Sequence, residues 1–217
     1  MLSGESELSM GLYTSHIFPR FLDWALGNAE FGELRRRTLA SAQGRVIEIG
    51  FGTGLNLEHY PEQVAHLTVI DQERMLPQRV AQRIALARMP VEQMQLDASG
   101  RLPFDDHSFD AAVSTWTLCS IAKLGAALQE VRRVLTPDGQ FIFLEHGRSD
   151  DAQVARRQDF FNPLQKFIAG GCHINRPINR LIEEAGLKLT RLDRFLLPHA
   201  PRIAGEMYCG TASPNKI

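Results

Sequence analysis

The sequence predicts an α/β fold: a seven-stranded, mostly parallel sheet with helices on both faces and an antiparallel last strand. Three observations carry that expectation. After residue 44, short apolar runs alternate with longer segments of helical periodicity, the pattern of a parallel sheet covered by helices. The first run, "RVIEI", passes straight into the bare turn "GFGTG", as strands do where an open sheet binds a ligand at its carboxyl edge. The last two apolar runs have no helix between them, and consecutive strands without a crossover run antiparallel.

The elements follow in order. "IFPRFLDWALG" (17–27) and "EFGELRRRTLASAQG" (30–44) space their apolar residues as two helices that pack on the sheet or over its mouth. "RVIEI" (45–49) is the first strand, and a helix is expected from about residue 55, just behind the glycines. "HLTVID" (66–71), "VEQMQL" (91–96), "FDAAVS" (109–114) and "GQFIFLE" (139–145) read as strands two to five. Between them, 72–88 and "AKLGAALQEVRRVL" (122–135) have helical spacing, the latter stopped by "TPDG". Residues 147–175 form a polar and aromatic insertion. "RPINRLIEEAGL" is a helix whose glycine suits a C-cap, and "KLTRLDRFLLP" and "AGEMYCGTA" are the closing strands. The expected organisation is one domain over 1–217: a helical cap (1–44), a cofactor-binding core (45–146), a substrate-side insertion (147–175) and a C-terminal helix with two strands (176–212).

Composition narrows the function. Apolar residues make up 44% of the chain and charged residues 23%, with a formal net charge of −1, so nothing favours a nucleic-acid partner. The three cysteines, Cys119, Cys172 and Cys209, are odd in number and form no CxxC pair; neither a disulfide framework nor a zinc site is expected, and a reducing cytoplasm fits. The start has no basic stretch followed by an apolar run, and no segment reaches the roughly 18 apolar residues of a membrane span.

Gly50, Gly52 and Gly54 remove side chains where the backbone must bend and approach a ligand. The spacing is GxGxG, and Leu55 stands where a dinucleotide fingerprint needs its third glycine, which counts against a nicotinamide cofactor. Glu48 lies two residues before the first glycine. Asp71 ends the second strand, 21 residues after Gly50, well placed to accept hydrogen bonds from ribose hydroxyls. Asp97 ends the third strand and could accept an adenine amine. Three acids at three strand ends suit an adenosine without a pyrophosphate and with a charged amino-acid tail, the composition of S-adenosylmethionine. The plainer reading of such a glycine run is tight packing alone.

At these motifs the sequence resembles the class I methyltransferases, in particular the type 11 group: "VIEIGFGTG" is similar to its first motif, "VIDQE" to its second, "LDASGRLPFDDHSFDAAVSTWTLCSI" to its third and fourth, and "LQEVRRVLTPDGQFIFLEHG" to its fifth-strand block. Through "LCSI", "LEHGRSDD", "NPLQKFIAGGCHINR" and "FLLPHAPRIAGEMYCGTA" it resembles a bacterial subgroup related to the mammalian thiol methyltransferases. The resemblance spans 12–212 and implies a Rossmann-like fold with S-adenosyl-L-methionine as cofactor. It further implies that Glu48, Gly50, Gly52 and Gly54 line the methionine part, with Phe51 and Thr53 contributing backbone. Asp71 would take the ribose, Gln72 would flank the adenine, Asp97 and Ala98 would hold its edge, Thr115 and Trp116 would face the methyl group, and Tyr13 could reach the cofactor carboxylate. Phe51 and Gln72 depart from the residues common in relatives.

Methyl transfer from a sulfonium asks the protein to align the nucleophile and exclude water. On the acceptor side His146, at the end of strand five, is the candidate general base or orienting residue, and a structural histidine is the plain alternative. Cys119, in the turn after strand four, could touch the acceptor or be inert packing. Cys172 and His173 are too few for a metal and read as lid contacts or plain loop, so no metal is expected. Phe160, Phe161 and Phe167 would wall a pocket or, as aromatics at helical spacing usually do, fill core. Segment 17–27 would dock over the site mouth or make transient contact with a membrane surface. The acceptor is expected to be a small molecule, first a thiol; a phospholipid amine and a non-catalytic cofactor-binding module remain the alternatives.

Overall fold

The protein is described by a computed structural model over residues 17–215, so Tyr13 lies outside the described residues. Seven strands form one sheet in the order β3-β2-β1-β4-β5-β7-β6. They are β1 (Gly44–Ile49), β2 (Val64–Asp71), β3 (Val91–Gln95), β4 (Phe109–Thr115), β5 (Leu135–His146), β6 (Leu187–Leu196) and β7 (Glu206–Pro214). β1 to β5 pair in parallel, and β7 is antiparallel to both β5 and β6. The chain reverses its winding between β1 and β4, which pair through Val46↔Ala111, Ile47↔Ala112 and Glu48↔Val113. The carboxyl ends of these two strands therefore flank the crevice where open sheets bind ligands.

Helices cover both faces: α1 (Phe18–Leu26), α2 (Ala29–Leu39), α3 (Pro77–Ala85), α4 (Leu124–Val134), α5 (Ala152–Ile168) and α6 (Ile178–Glu184). The alternation of strand side chains sorts the core into two layers. Ile47, Ile49, Ala112, Phe141 and Phe143 pack against Leu128 and Val131 of α4 and Ile178 and Ile182 of α6. Val46, Val69, Val113 and Ile142 point the other way, onto Leu39 of α2 and Val80 of α3. Strands buried on both faces explain why the central runs carry few polar residues.

Several expectations change. No α-helix follows the glycine turn: only a 3-10 helix, Leu57–His59, forms there. Pro61 holds Tyr60 extended (φ −67°, ψ 135°), and the side chains of Asn56 and Tyr60 are drawn inward to Glu48, so the turn cannot propagate. The second N-terminal helix stops at Leu39, because Gly44 already enters β1. The helix expected over 72–88 begins only at Pro77, after Leu76 in a left-handed conformation. Within the insertion, the 17-residue α5 is capped by Asp151, whose carboxylate accepts the N–H groups of Gln153 and Val154. The aromatic residues expected as core on this segment are exposed: Phe160 by 78% and Phe167 by 67%, with Phe161 also open to solvent.

Helix α1 is anchored by charge. Its buried Asp23 receives hydrogen bonds from Arg79 and, at 2.6 Å, from Arg83 of α3, and Arg83 also donates to the Thr53 carbonyl at 2.6 Å. Burial pushes the Asp23 pKa up, but the bonds from Arg83, Thr53 and Arg79 outweigh it and keep the group below its ordinary value. The cap is thereby tied to the glycine turn, while Phe21 and Trp24 on its other side are 56% and 77% exposed. Among the described residues no helix is long and apolar enough to cross a membrane.

Candidate active site

The three glycines after β1 all have positive φ but meet different surroundings. A Cβ on Gly50 would lie 2.1 Å from the Thr117 side chain, and one on Gly54 would press on the Phe51 ring at 3.0 Å. A Cβ on Gly52 would meet nothing within 4 Å. Gly50 and Gly54 thus answer internal packing, and Gly52 turns bare backbone toward open space. Phe51 is buried in the layer with Leu39 and Val80, so its side chain serves the core.

Asp71 couples this turn to the end of β2. Its Oδ2 accepts the Gly52 N–H at 2.7 Å and its Oδ1 the Glu73 N–H at 3.0 Å. Burial raises its pKa, against the backbone N–H groups of Glu73, Gly52 and Gln72. A carboxylate has about four lone-pair positions, so two such bonds leave capacity for a ligand. Gln72 is exposed, and its carbonyl accepts from the Gln95 amide at 3.1 Å. Beyond β3, Asp97 is exposed and accepts the Ser99 N–H at 2.8 Å, while Ala98 is buried.

Glu48 is fully enclosed behind the turn. Tyr60 donates to its Oε2 at 2.7 Å and Asn56 to its Oε1 at 2.9 Å, and Asn56 also reaches the Thr115 hydroxyl at 3.0 Å. Burial pushes the Glu48 pKa up to about 7 despite these donors. Asn56 and Tyr60 carry no signal in the sequence that would pair them with an acid on the preceding strand.

Trp116 follows β4 with φ 49°, a left-handed conformation unusual for a bulky residue, secured by its N–H to the Leu144 carbonyl at 2.8 Å. Helix α2 closes over it. The Phe31 ring meets the Trp116 ring edge-on at 5.4 Å, and the Arg35 guanidinium lies 4.7 Å from its centroid. Arg35 is buried, donates to the Leu26 carbonyl at 2.7 Å, and has its pKa pushed down to about 10 by desolvation.

Beyond the carboxyl ends of β4 and β5 the fold brings together residues that are distant in sequence. The Cys119 and Cys172 sulfurs and a ring nitrogen of His146 lie within 4.8 Å of one another. The His146 Nε2 is 3.1 Å from the Cys172 Sγ. Beneath them the fully buried Glu145 accepts the Cys119 N–H at 3.3 Å and the His146 N–H at 3.0 Å. The neighbouring Cys119 thiol and His146 ring bring the Cys172 pKa down to about 4 against the opposing effect of burial, while the Cys119 thiol is pushed well up. Burial alone would depress His146, but the Cys172 bond and the Glu145 charge carry it above the ordinary histidine value. His173 stands apart, with its Nδ1 3.3 Å from the Asn162 amide of α5.

Comparison with known proteins gives a consistent picture. Residues 47–143 match the methyltransferase domain family. The human thiol S-methyltransferase TMT1B is 32% identical over 193 residues, covering 81% of this chain and 75% of the human protein. The phosphatidylethanolamine N-methyltransferase of Cereibacter sphaeroides is 29% identical over 175 residues, covering 77% of this chain and 85% of its own length. Among solved structures, the Burkholderia thailandensis 1,6-didemethyltoxoflavin-N1-methyltransferase, with its substrate and S-adenosylhomocysteine bound, superposes with a TM-score of 0.67 at 18% identity, covering 100% of this chain and 92% of the other. At that identity the likeness is one of fold.

Proposed function

The chain belongs to the class I S-adenosylmethionine-dependent methyltransferases, and from that premise we propose that it methylates a small, partly apolar thiol. When bound, S-adenosylmethionine supplies a methyl carbon activated by its sulfonium charge, open to in-line displacement by an aligned nucleophile. The residues present fit this cofactor: Gly52 offers bare backbone facing open space, and Asp71 keeps acceptor capacity beyond its two backbone bonds. Gly50 to Gly54 would carry the methionine end with Glu48 behind them, Asp71 and Gln72 the ribose side, Asp97 and Ala98 the adenine edge, and Thr115 the approach to the methyl group.

The convergence of Cys119, His146 and Cys172 beyond the carboxyl ends of β4 and β5 carries the thiol reading. A thiol must shed its proton before it attacks, because the thiolate is the reactive form. His146, partly buried at the end of β5 with its ring turned into the cluster, is the residue on which that loss depends. Trp116, held by Phe31 and Arg35 of α2, supplies an apolar wall for the acceptor and helps exclude water. Incubation with S-adenosylmethionine and a panel of small thiols, amines and lipid head-group analogues, read as S-adenosylhomocysteine formed, tests the proposal. Turnover with thiols is the expected result, and turnover confined to amines would overturn it.

A second acceptor class is favoured by the exposed aromatic residues Phe21 and Trp24 on α1 and Phe160 and Phe167 on α5. Such surface suits an amphiphile, and the similar bacterial enzyme is a phosphatidylethanolamine N-methyltransferase. Sedimentation with phospholipid vesicles that is lost when Phe21 and Trp24 become serine would support the lipid amine. Absence of sedimentation by the unmodified protein would remove it.

A further inference from the structure

We propose that Cys119, His146 and Cys172 bind a soft divalent metal ion of the zinc class, leaving a fourth coordination position for the sulfur of the acceptor. The metal site stands on its own geometry; the acceptor's place in it rests on the thiol reading above.

Two thiolates and an imidazole are the ligand set that zinc favours among common divalent ions. With metal–ligand bonds of about 2.0 to 2.3 Å, a tetrahedral centre holds its ligand atoms roughly 3.3 to 3.8 Å apart. The three candidate atoms already lie within 4.8 Å of one another, with the His146 Nε2 and Cys172 Sγ at 3.1 Å, so rotations of side chains suffice to enclose an ion. Each ligand comes from a different element, namely the turn after β4, the end of β5 and the loop after α5. Their convergence is set by tertiary structure, and this is why the sequence, which offers only Cys172 and His173 side by side, suggested no metal. Among the described residues no other group of three histidine, cysteine or acidic side chains comes as close together.

The surroundings suit three protein ligands. Glu145, whose Oε1 is 3.9 Å from the His146 Nε2, lies outside the close group of three ligand atoms and accepts the N–H groups of Cys119 and His146, a support beneath the ligands. The Gln165 amide lies 3.8 Å from the Cys172 sulfur and the Ser120 hydroxyl 3.5 Å from that of Cys119, both able to steady a thiolate. The ion takes both cysteines as thiolates, any proton still on them passing to solvent, and the dication with two thiolates is neutral, which suits a buried site. Three ligands with one open position is the arrangement of reactive zinc sites, whereas purely structural ones are closed by four. An acceptor thiol entering that position gives up its proton to solvent and is held as a thiolate on the same sheet edge as the glycine turn.

The test begins with chelator-treated full-length protein titrated with cobalt(II), read by visible absorption and by elemental analysis. One cobalt per chain is expected, with a thiolate-to-cobalt charge-transfer band and the strong visible bands of tetrahedral geometry. Cys172→Ser and His146→Ala should each weaken binding by about tenfold or more, whereas Cys209→Ser should not. Calorimetric affinity for S-adenosylhomocysteine shows whether each variant is folded, and if Cys119→Ser is not, Cys172→Ser decides. Absence of stoichiometric cobalt in the unmodified protein, or binding unchanged in Cys172→Ser, overturns the metal site. Thiol turnover persisting in that case would leave the acceptor reading intact. Conversely, bound cobalt whose spectrum ignores added small thiols, together with no thiol turnover, would overturn the acceptor's place while retaining the metal.

Discussion

Arg35 holds its buried guanidinium 4.7 Å from the ring centroid of Trp116, joining the N-terminal cap to the residue that leaves β4 in a left-handed conformation. A desolvated cation over an indole face is worth about 2 kcal/mol. In a double-mutant cycle of Arg35→Met and Trp116→Leu, followed by urea denaturation, a coupling energy of roughly 1 to 2 kcal/mol is expected. Additive effects would show that the stacking contributes nothing to holding the cap.

The glycine turn makes a second, differential prediction. Gly50→Ala drives a Cβ to within 2.1 Å of Thr117 and should leave little folded protein. Gly52→Ala meets no neighbour and should cost only about 1 to 2 kcal/mol of stability from its left-handed backbone, while weakening S-adenosylmethionine binding, as calorimetry would read. Undiminished cofactor affinity in folded Gly52→Ala would place the cofactor elsewhere.

Asp71→Ala removes the carboxylate that receives the Gly52 and Glu73 N–H groups and is proposed to receive the ribose. A loss of about 1 to 3 kcal/mol in cofactor binding is expected, the usual cost of stranding buried polar partners. Calorimetric titration with S-adenosylhomocysteine measures it, and an unchanged affinity would rule out the ribose role.

Glu48 gives the fold a pH dependence of known sign. Its pKa is about 7 in the folded protein against an ordinary 4.5, so between those values the folded state binds the extra proton. Stability contributed by the protonated carboxyl is fully present below about pH 4.5 and declines as pH rises through about 7, by roughly 3 kcal/mol in all. Chemical denaturation at a series of pH values should show this slope in the unmodified protein and a flatter one in Glu48→Gln.

Asp23→Asn should release α1 from α3. The aspartate is buried, but Arg79 and Arg83 reach solvent, so neutralising it costs about 1 to 3 kcal/mol as the charges lose their partner. Hydrogen exchange would register faster opening of α1, with the Thr53 carbonyl losing its order as Arg83 is freed.

The sheet was legible because its causes are local. Alternating apolar runs and the missing crossover between β6 and β7 each depend on residues close together in the chain, and the structure reproduces all seven strands within a few residues, although β5 already starts at Leu135 and takes in the "TPDG" expected as a turn. The misread helices have equally local explanations that act against periodicity: Pro61 cuts short the turn behind the glycines, and Pro77 delays the start of α3. Phe160 and Phe167 misled because helical spacing reports a stripe but not what faces it.

By itself the sequence determined the runs that become strands, the glycine turn and the acids at the strand ends, since a bare backbone and a terminal carboxylate announce themselves within a few residues of the strand they follow. Only the tertiary structure decided which glycine faces open space, that Asn56 and Tyr60 enclose Glu48, and that Cys119, His146 and Cys172 meet. The reason is physical: these relations join residues on different strands and loops, and their distances are set by how the layers pack, which no spacing along the chain encodes.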